Sequence, residues 1–389
     1  MITDALTRMA AKPERVVAGF MCGTSLDGID IALTRIRGSG SQSEVQLLGY
    51  ASEPYQPELR ARFLNLQMPS LYNSAEQAEL SFGVAELYAE ALIRLADRLG
   101  VKLSEIDLVG HHGVIMYHGR GFHVDLCEAS VIAERTGLTV ITDFRLRDCA
   151  AGGQGAPLSP YVDWILFKSP TLTRAIQNIG GIANVCAVPA GGGIDSLIGF
   201  DTGPGNMVMD GVVSVISDGQ LAYDAAGKLA SSGRVNGAML DDLMSHPYIQ
   251  RGLPKCAGRE EFGVFFAKEL VAQGRATGMK DNDIVATATA FTAEAIAEGY
   301  RRFIYPKHRL DEVVVGGGGV HNEFLMGMLR EMLAPVPVRT HEDFGIASDA
   351  REALSWAVLA NETLVGNPAN VPQVTGAKRR VVLGKIIPA

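Results

Sequence analysis

The chain lacks an excess of positive charge, paired cysteines and long apolar runs, and each shortage excludes a class of protein. Thirty-five basic residues stand against 43 acidic ones, a formal charge of −8. A broad phosphate-backbone binder carries the opposite sign, so nucleic acid is not expected as a main partner. No stretch approaches the ~18 uninterrupted apolar residues of a membrane span. No basic start leads into an apolar run, so a signal peptide is not expected. The five cysteines (Cys22, Cys127, Cys149, Cys186, Cys256) are odd in number and scattered, with no C-x-x-C. That fits thiols in a reducing cytoplasm better than a disulfide framework or zinc site. The expected location is cytoplasmic, with no membrane partner.

What is present is ordinary for a globular protein. Hydrophobic residues make up 47% and charged residues 20%, which excludes wholesale disorder and a fibrous chain. The 44 glycines follow no Gly-X-Y period, so collagen is excluded and Gly-rich turns are expected. A length of 389 residues suits two or three domains, or one two-lobed unit.

Val16 to Ile36 reads as two β-rich runs around Gly23, Thr24, Ser25, Asp27 and Gly28, a hairpin. From Ser74 to Leu99 the apolar positions step by three or four, which predicts an amphipathic helix capped by Asn73 or Ser74 and stopped at Gly100. Ile106–Gly110 reads as a buried strand. The same order recurs later: a Gly-Gly hairpin over 175–188, a helix over 283–303 and a strand, Glu312–Val315, running into Gly316–Gly319. Such a repeat predicts two α/β lobes with both glycine hairpins at one cleft, although an order this loose also arises by chance. Leu138–Arg145 reads as a strand ending in charge, and 150–157 as a loop. The expected division is 1–145, joined by about 365–389, against 146–364.

Four glycine-rich segments are the candidates for chemistry. Gly23 to Gly28 at a hairpin tip is either a tight turn, the simpler reading of these residues alone, or an anion cradle whose Asp27 holds Mg²⁺. Asn178–Asn184 is a second such tip or a closely packed turn. Gly199-Phe200-Asp201-Thr202-Gly203-Pro204-Gly205-Asn206 follows Leu197-Ile198 and reads as a rigid loop at a strand end. Asp201 is there a general base, or the cap of the next helix. Gly316–Gly319 is not G-x-G-x-x-G, and no G-x-x-x-x-G-K-[ST] exists anywhere, which argues against dinucleotide enzymes and P-loop NTPases. His111, His112, His118 and His123 match no zinc-binding pattern and read as core or strand-end residues.

Two phosphate hairpins and a glycine-rich strand end without a Walker loop resemble the actin-like ATPase and sugar kinase superfamily, hexokinase included. GTSLDGID (23–30), TDFRLRD (142–148), AGGQGAPL (151–158), NIGGIANV (178–185), GFDTGPGN (199–206) and GGGGVHN (316–322) resemble the anhydro-N-acetylmuramic acid kinase family, which includes levoglucosan kinase. The likeness runs from about Val16 to the VVLGKIIP ending. It implies an α/β, two-lobed, actin-like fold and a kinase that opens a 1,6-anhydro sugar with water and phosphorylates O6 from ATP. By the same resemblance Asp201 is the base and Arg145 and Glu352 are at the sugar. Cys22, Gly23, Thr24, Ser25, Leu26, Asp27, Gly28 and Ile29 are at ATP, as are Gly180, Gly181, Gly203, Gly205, Asn206, Gly316, Gly317 and Gly318. Mg²⁺ goes near Asp27. Two departures stand out: Cys22 replaces the usual Ser, and Val114-Ile115 replaces the Gln-Thr of H-G-Q-T. The second leaves the preferred sugar open between anhydro-N-acetylmuramic acid and levoglucosan. An actin-like nucleotide-binding protein without kinase activity and a pseudokinase are the more distant readings. A homodimer is open, with no single apolar stripe to mark its interface.

Overall fold

In the computed structural model every residue is described except Met1, Thr24, Ser25, Asp27, Pro69, Ser70 and Arg120, and the side chain of Arg259. Contacts divide the chain into two units, Met1–Leu166 with Asp349–Ala389, and Phe167–Ser348.

In the first unit β1 (Glu14–Met21), β2 (Gly28–Arg37) and β3 (Glu44–Pro54) form an antiparallel meander. β4 (Leu108–His111) then pairs parallel to β1, and β7 (Thr139–Thr142) parallel to β4. A last strand, Lys385–Ile387, closes the edge antiparallel to β7. Between β4 and β7, β5 (Val114–Gly119) and β6 (Phe122–Leu126) make a separate hairpin. The second unit repeats the plan. β8 (Arg174–Ile179), β9 (Ile182–Val188) and β10 (Ile198–Pro204) form the meander, and β11 (Glu312–Gly316) and β12 (Val338–Thr340) follow parallel to β8. The orders β7-β4-β1-β2-β3 and β12-β11-β8-β9-β10 correspond strand for strand. The fold is therefore α/β with duplicated lobes. β4 and β11 are buried at every residue. Central parallel strands covered on both faces must be, which is why both read as uninterrupted runs.

The helix Ser74–Leu99 begins where Asn73 accepts hydrogen bonds from Ala75 and Glu76 N–H, and ends at Gly100 in a left-handed conformation. Its Leu80, Val84, Leu92 and Leu95 join Phe20, Ile31, Leu33 and Val109 of the sheet in one core. A second helix, Arg351–Leu364, packs on β1, β2 and β4. It lies close because β1 and β4 offer glycine there. A Cβ at Gly19 would sit 1.9 Å from the Ala353 carbonyl oxygen, and one at Gly110 2.1 Å from that of Trp356. Any side chain at either position would lift the helix and the residues it carries.

That packing assigns Arg351–Leu364 to the first unit, where the sequence division at 365 had left it in the second. The other boundary also differs, falling after Leu166 instead of after Arg145. Asp148 explains why. Its buried carboxylate accepts from Gly155 N–H, Asn370 Nδ2 and Thr375 Oγ1, tying the segment after Arg145 to the chain's end. Leu138–Arg145 is not one strand: β7 stops at Thr142 and a helix, Phe144–Ala150, follows. Arg145 therefore projects from a helix.

Candidate active site

In the first unit the Phe144–Ala150 helix, the end of β4 and the Arg351–Leu364 helix bring Arg145, His112 and Trp356 together. Arg145 Nε donates to His112 Nε2 at 2.8 Å and its Nη1 to the Gly155 carbonyl at 3.0 Å. The guanidinium carbon lies 5.2 Å from the centre of the Trp356 ring, and the His112 ring is 4.3 Å from the same indole. A guanidinium only donates, so His112 Nε2 must carry a lone pair. His112 Nδ1 is 2.8 Å from the Gly113 carbonyl oxygen, which only accepts, so the proton sits on Nδ1. The imidazole is thus neutral, held by burial and the adjacent Arg145 charge well below its ordinary pKa. Arg145 is left with its fork fixed at two points and its charge over an aromatic ring, the arrangement that suits oriented recognition of an oxygen-rich ligand. Glu352 stands partly buried in the first turn of the Arg351–Leu364 helix. Asp125 and Glu352 oppose the burial that lowers the Arg145 pKa.

The histidines are closer to one another than their spacing suggests. Ligand atoms of His112, His123 and Asp125 lie within 4.8 Å of each other, and His118 Nδ1 is 3.1 Å from His123 Nδ1. The Arg145 guanidinium already occupies the His112 lone pair, which sets a fixed positive charge where a dication would have to bind.

In the second unit Asp201 lies inside β10, a correction to the loop expected from its glycines and proline. The strand is irregular at that point: its register against β9 shifts between Asp201 and Gly203, and Gly203 has φ 148°. A bulge of this kind re-aims a side chain while leaving the strand paired on both sides. Three groups from 248–257 fasten the residue. Asp201 N–H donates to the Lys255 carbonyl at 3.2 Å. Tyr248 Oη donates to the Asp201 carbonyl at 2.9 Å, and Ala257 N–H to Asp201 Oδ2 at 2.9 Å. Burial pushes the Asp201 carboxyl up to about 7, against the opposing pull of the Ala257 N–H and of Lys255. An acid of that strength is a better proton acceptor than an ordinary aspartate and is poised at neutral pH.

The glycine segments of this unit converge. Gly205 and Met207 N–H bond the Gly181 carbonyl, and Asn206 N–H bonds that of Gly180 at 2.7 Å. The β8–β9 turn is thereby locked to the start of the Asn206–Ile216 helix. Gly316 pairs with Asn178 across β11 and β8, bringing Gly316–Gly318 to the same end of the sheet.

A family model described as anhydro-N-acetylmuramic acid kinase matches residues 15–389. An anhydro-N-acetylmuramic acid kinase of Caldanaerobacter subterraneus subsp. tengcongensis is 44% identical over 98% of this chain and 99% of its own length. One of Bacillus cereus is 43% identical over 95% and 98%. The chain belongs to the anhydro-N-acetylmuramic acid kinase family. Among solved structures, the activator of a Clostridium difficile 2-hydroxyisocaproyl-CoA dehydratase with bound ADPNP aligns with a TM-score of 0.46 and 13% identity, covering 90% of this chain and 96% of that one.

Placed on this family member, the sequence expectations separate into three groups. Gly180, Gly181, Gly203, Gly205, Asn206 and Gly316–Gly318 gather with Asp201 in the second unit, while Arg145 and Glu352 lie in the first. Of the Cys22–Ile29 segment, Thr24, Ser25 and Asp27 lie outside the described residues; Leu26 N–H bonds the Gly23 carbonyl at 3.1 Å, and Leu26 has φ 56°. His112, Trp356, Tyr248, Lys255 and Ala257 were not singled out for these roles by sequence. His112 carried a signal, a histidine at a buried strand end, but the other four sit in segments without a motif.

Proposed function

We propose that this chain is an ATP-dependent 1,6-anhydro-sugar kinase acting on anhydro-N-acetylmuramic acid, giving N-acetylmuramic acid 6-phosphate as a step of cell-wall recycling in the cytoplasm. The observation that carries the reading is Asp201: an aspartate on a strand bulge, its backbone fixed by two hydrogen bonds and its carboxylate by one, with a pKa raised to about 7. It takes the proton of the water that adds at the anomeric carbon. The bond from that carbon to O6 breaks, O6 takes the γ-phosphoryl of ATP, and ADP leaves. Arg145, oriented by His112 and Trp356, and Glu352 bind the sugar. Cys22–Ile29, Gly180, Gly181, Gly203, Gly205, Asn206 and Gly316–Gly318 form the ATP side. The N–H groups of Gly205 and Asn206 are already bonded to the β8–β9 turn, so their part is to shape the loop and not to donate to phosphate directly.

Mg²⁺ would neutralise charge on the transferring phosphoryl oxygens. The residue assigned to it, Asp27, lies outside the described residues, and no step above depends on it. No described helix is long and apolar enough to cross a membrane.

Levoglucosan, an anhydro sugar without the N-acetyl and lactyl groups, is the second reading. Val114 is fully buried in the core of the first unit, and Ile115 pairs with Asp125 across β5 and β6. Two apolar side chains thus stand where the family places an amide and a hydroxyl, which removes hydrogen bonds a substituted sugar could use. Coupled ADP release with Mg-ATP and, separately, anhydro-N-acetylmuramic acid, levoglucosan, N-acetylmuramic acid or no sugar tests both. Release stimulated by anhydro-N-acetylmuramic acid above all is the expected result. A preference for levoglucosan would replace the substrate, and equal slow release in every tube would sink the kinase reading.

A further inference from the structure

Lys255 is an unusual residue to find enclosed. It is 3% exposed, and among the described residues its ammonium makes no salt bridge. It lies instead over the Tyr248 ring, with Nζ 4.4 Å from the centroid, and 5.9 Å from that of Phe303. Two further cations crowd the same rings: the Arg251 guanidinium carbon is 5.0 Å from Tyr248 and that of Arg302 is 4.9 Å from Phe303. Burying an ammonium without a carboxylate partner is costly, and a methionine would fill the space without that cost. An ammonium enclosed on the residue whose carbonyl bonds Asp201 calls for a use of the charge.

We propose that Lys255 is a positioning residue for the Asp201 base: its ammonium, seated on Tyr248, steadies the clamp around Asp201 and supplies the positive charge the carboxylate works beside. The inference rests on the reading of Asp201 as the base. The clamp and the charge share one segment. The Lys255 carbonyl takes the Asp201 N–H, Ala257 two residues on bonds the carboxylate, and the ring beneath the ammonium belongs to the tyrosine that bonds the Asp201 carbonyl. The other charges around the pair divide by element. Arg251 accompanies Tyr248, Glu261 comes from the short helix Arg259–Phe262, and Glu298 and Arg302 come from the long helix beginning at Asp281 and its continuation. Glu261 opposes ionisation of Asp201 and lies 3.5 Å from Arg251. Burial, with Arg302 and Arg251 beside it, lowers the Lys255 ammonium to about 8, so it remains mostly charged while Asp201 titrates.

The test reads Asp201 itself. The full chain, free of ligands, is labelled with ¹³C at the aspartate carboxyl carbon and titrated by NMR, the Asp201 signal being assigned with Asp201→Asn. In Lys255→Met and Lys255→Gln the Asp201 midpoint rises by about one pH unit, and the acid limb of the pH profile of kcat/KM moves with it. That lowers kcat/KM about tenfold near pH 6.5 and little near pH 9. Lys255→Arg restores both. An unmoved midpoint in the neutral variants overturns the proposal, as does a pH-independent loss of activity, which a purely structural role would give. Should neither neutral variant fold, Lys255→Arg decides: a midpoint displaced by a unit or more overturns the proposal. Because the carboxylate is read without substrate, a displaced midpoint without sugar turnover would remove the kinase reading alone. Normal turnover with an unmoved midpoint would remove Lys255 alone.

Discussion

Two carboxylates, one in each unit, show what hydrogen bonding makes of a sheltered acid. Glu362, fully buried in the first unit, accepts from Gly40 N–H, Ser43 Oγ, Tyr161 Oη, Asn361 Nδ2 and Asn367 Nδ2. Asp201, partly buried in the second, accepts at its carboxylate from the Ala257 N–H alone among the described residues. The first is satisfied on every side and pins a helix to the chain around Gly40. The second has its backbone fastened and its carboxylate bonded once, so burial, the main cause, leaves it with an affinity for a proton at neutral pH. On the reading of Asp201 as the base, fixing the main chain while giving the carboxylate a single partner holds the group in place without satisfying it.

The sharpest way to break this contrast is to remove each acid in turn. Asp201→Asn should lower kcat about 10³-fold while nucleotide binding, followed by titration calorimetry, stays within about twofold. A kcat near that of the unaltered chain would take the base role away from Asp201. Glu362→Ala should do the reverse. It leaves five donors without their shared acceptor and should cost roughly 3 kcal/mol of stability by chemical denaturation, with kcat/KM retained at low temperature. If activity fell and stability held, the two acids would have exchanged roles.

Arg145→Ala comes next in size. With its fork and aromatic seat lost, the sugar KM should rise at least about tenfold while ATP affinity is unchanged. Equal losses for both substrates would point to damage to the fold.

The last comparison concerns stability and pH. The folded pKa of Asp201, about 7, lies above its unfolded value, ~3.9. Below pH ~4 both states hold the proton; from there to about 7 only the folded state does, so rising pH removes stability through that window. Asparagine does not titrate. The Tm of Asp201→Asn should therefore match that of the unaltered chain near pH 4 and exceed it by a few degrees at pH 8. A constant difference across that range would mean the Asp201 carboxyl is not held above its ordinary range.

Much of this was legible before any coordinates. The 74–99 helix announced both ends through Asn73 and Gly100, because caps are local chemistry. The first two strands of each meander showed as apolar runs around a glycine turn, but the third strands, Glu44–Pro54 and Ile198–Pro204, did not. Asp201 stood out by the company of Gly203, Pro204 and Gly205, but its placement within a strand did not, since a bulge looks like a loop in a linear string. Arg145, singled out by the resemblance, was misplaced at a strand end for a similar reason: Thr142-Asp143-Phe144 passes from strand to helix with no proline or glycine to mark the change. The partners of both residues were hidden more deeply. Trp356 meets Arg145 only because Gly19 and Gly110 let a distant helix settle on the sheet. Lys255 reaches Asp201 across a segment with no periodicity at all.

The first unit is written in two pieces, residues 1–166 and 349–389, and the second in one. On the ribosome this imposes an order. β1 and β4 emerge early with Gly19 and Gly110 bare, and the helix that covers them is translated only after all of Phe167–Ser348. At ~5–20 residues per second that interval is on the order of 10–40 s. The second unit can complete its core while the nascent first unit still presents an uncovered sheet face, so the chain's early half is the one that would need a chaperone.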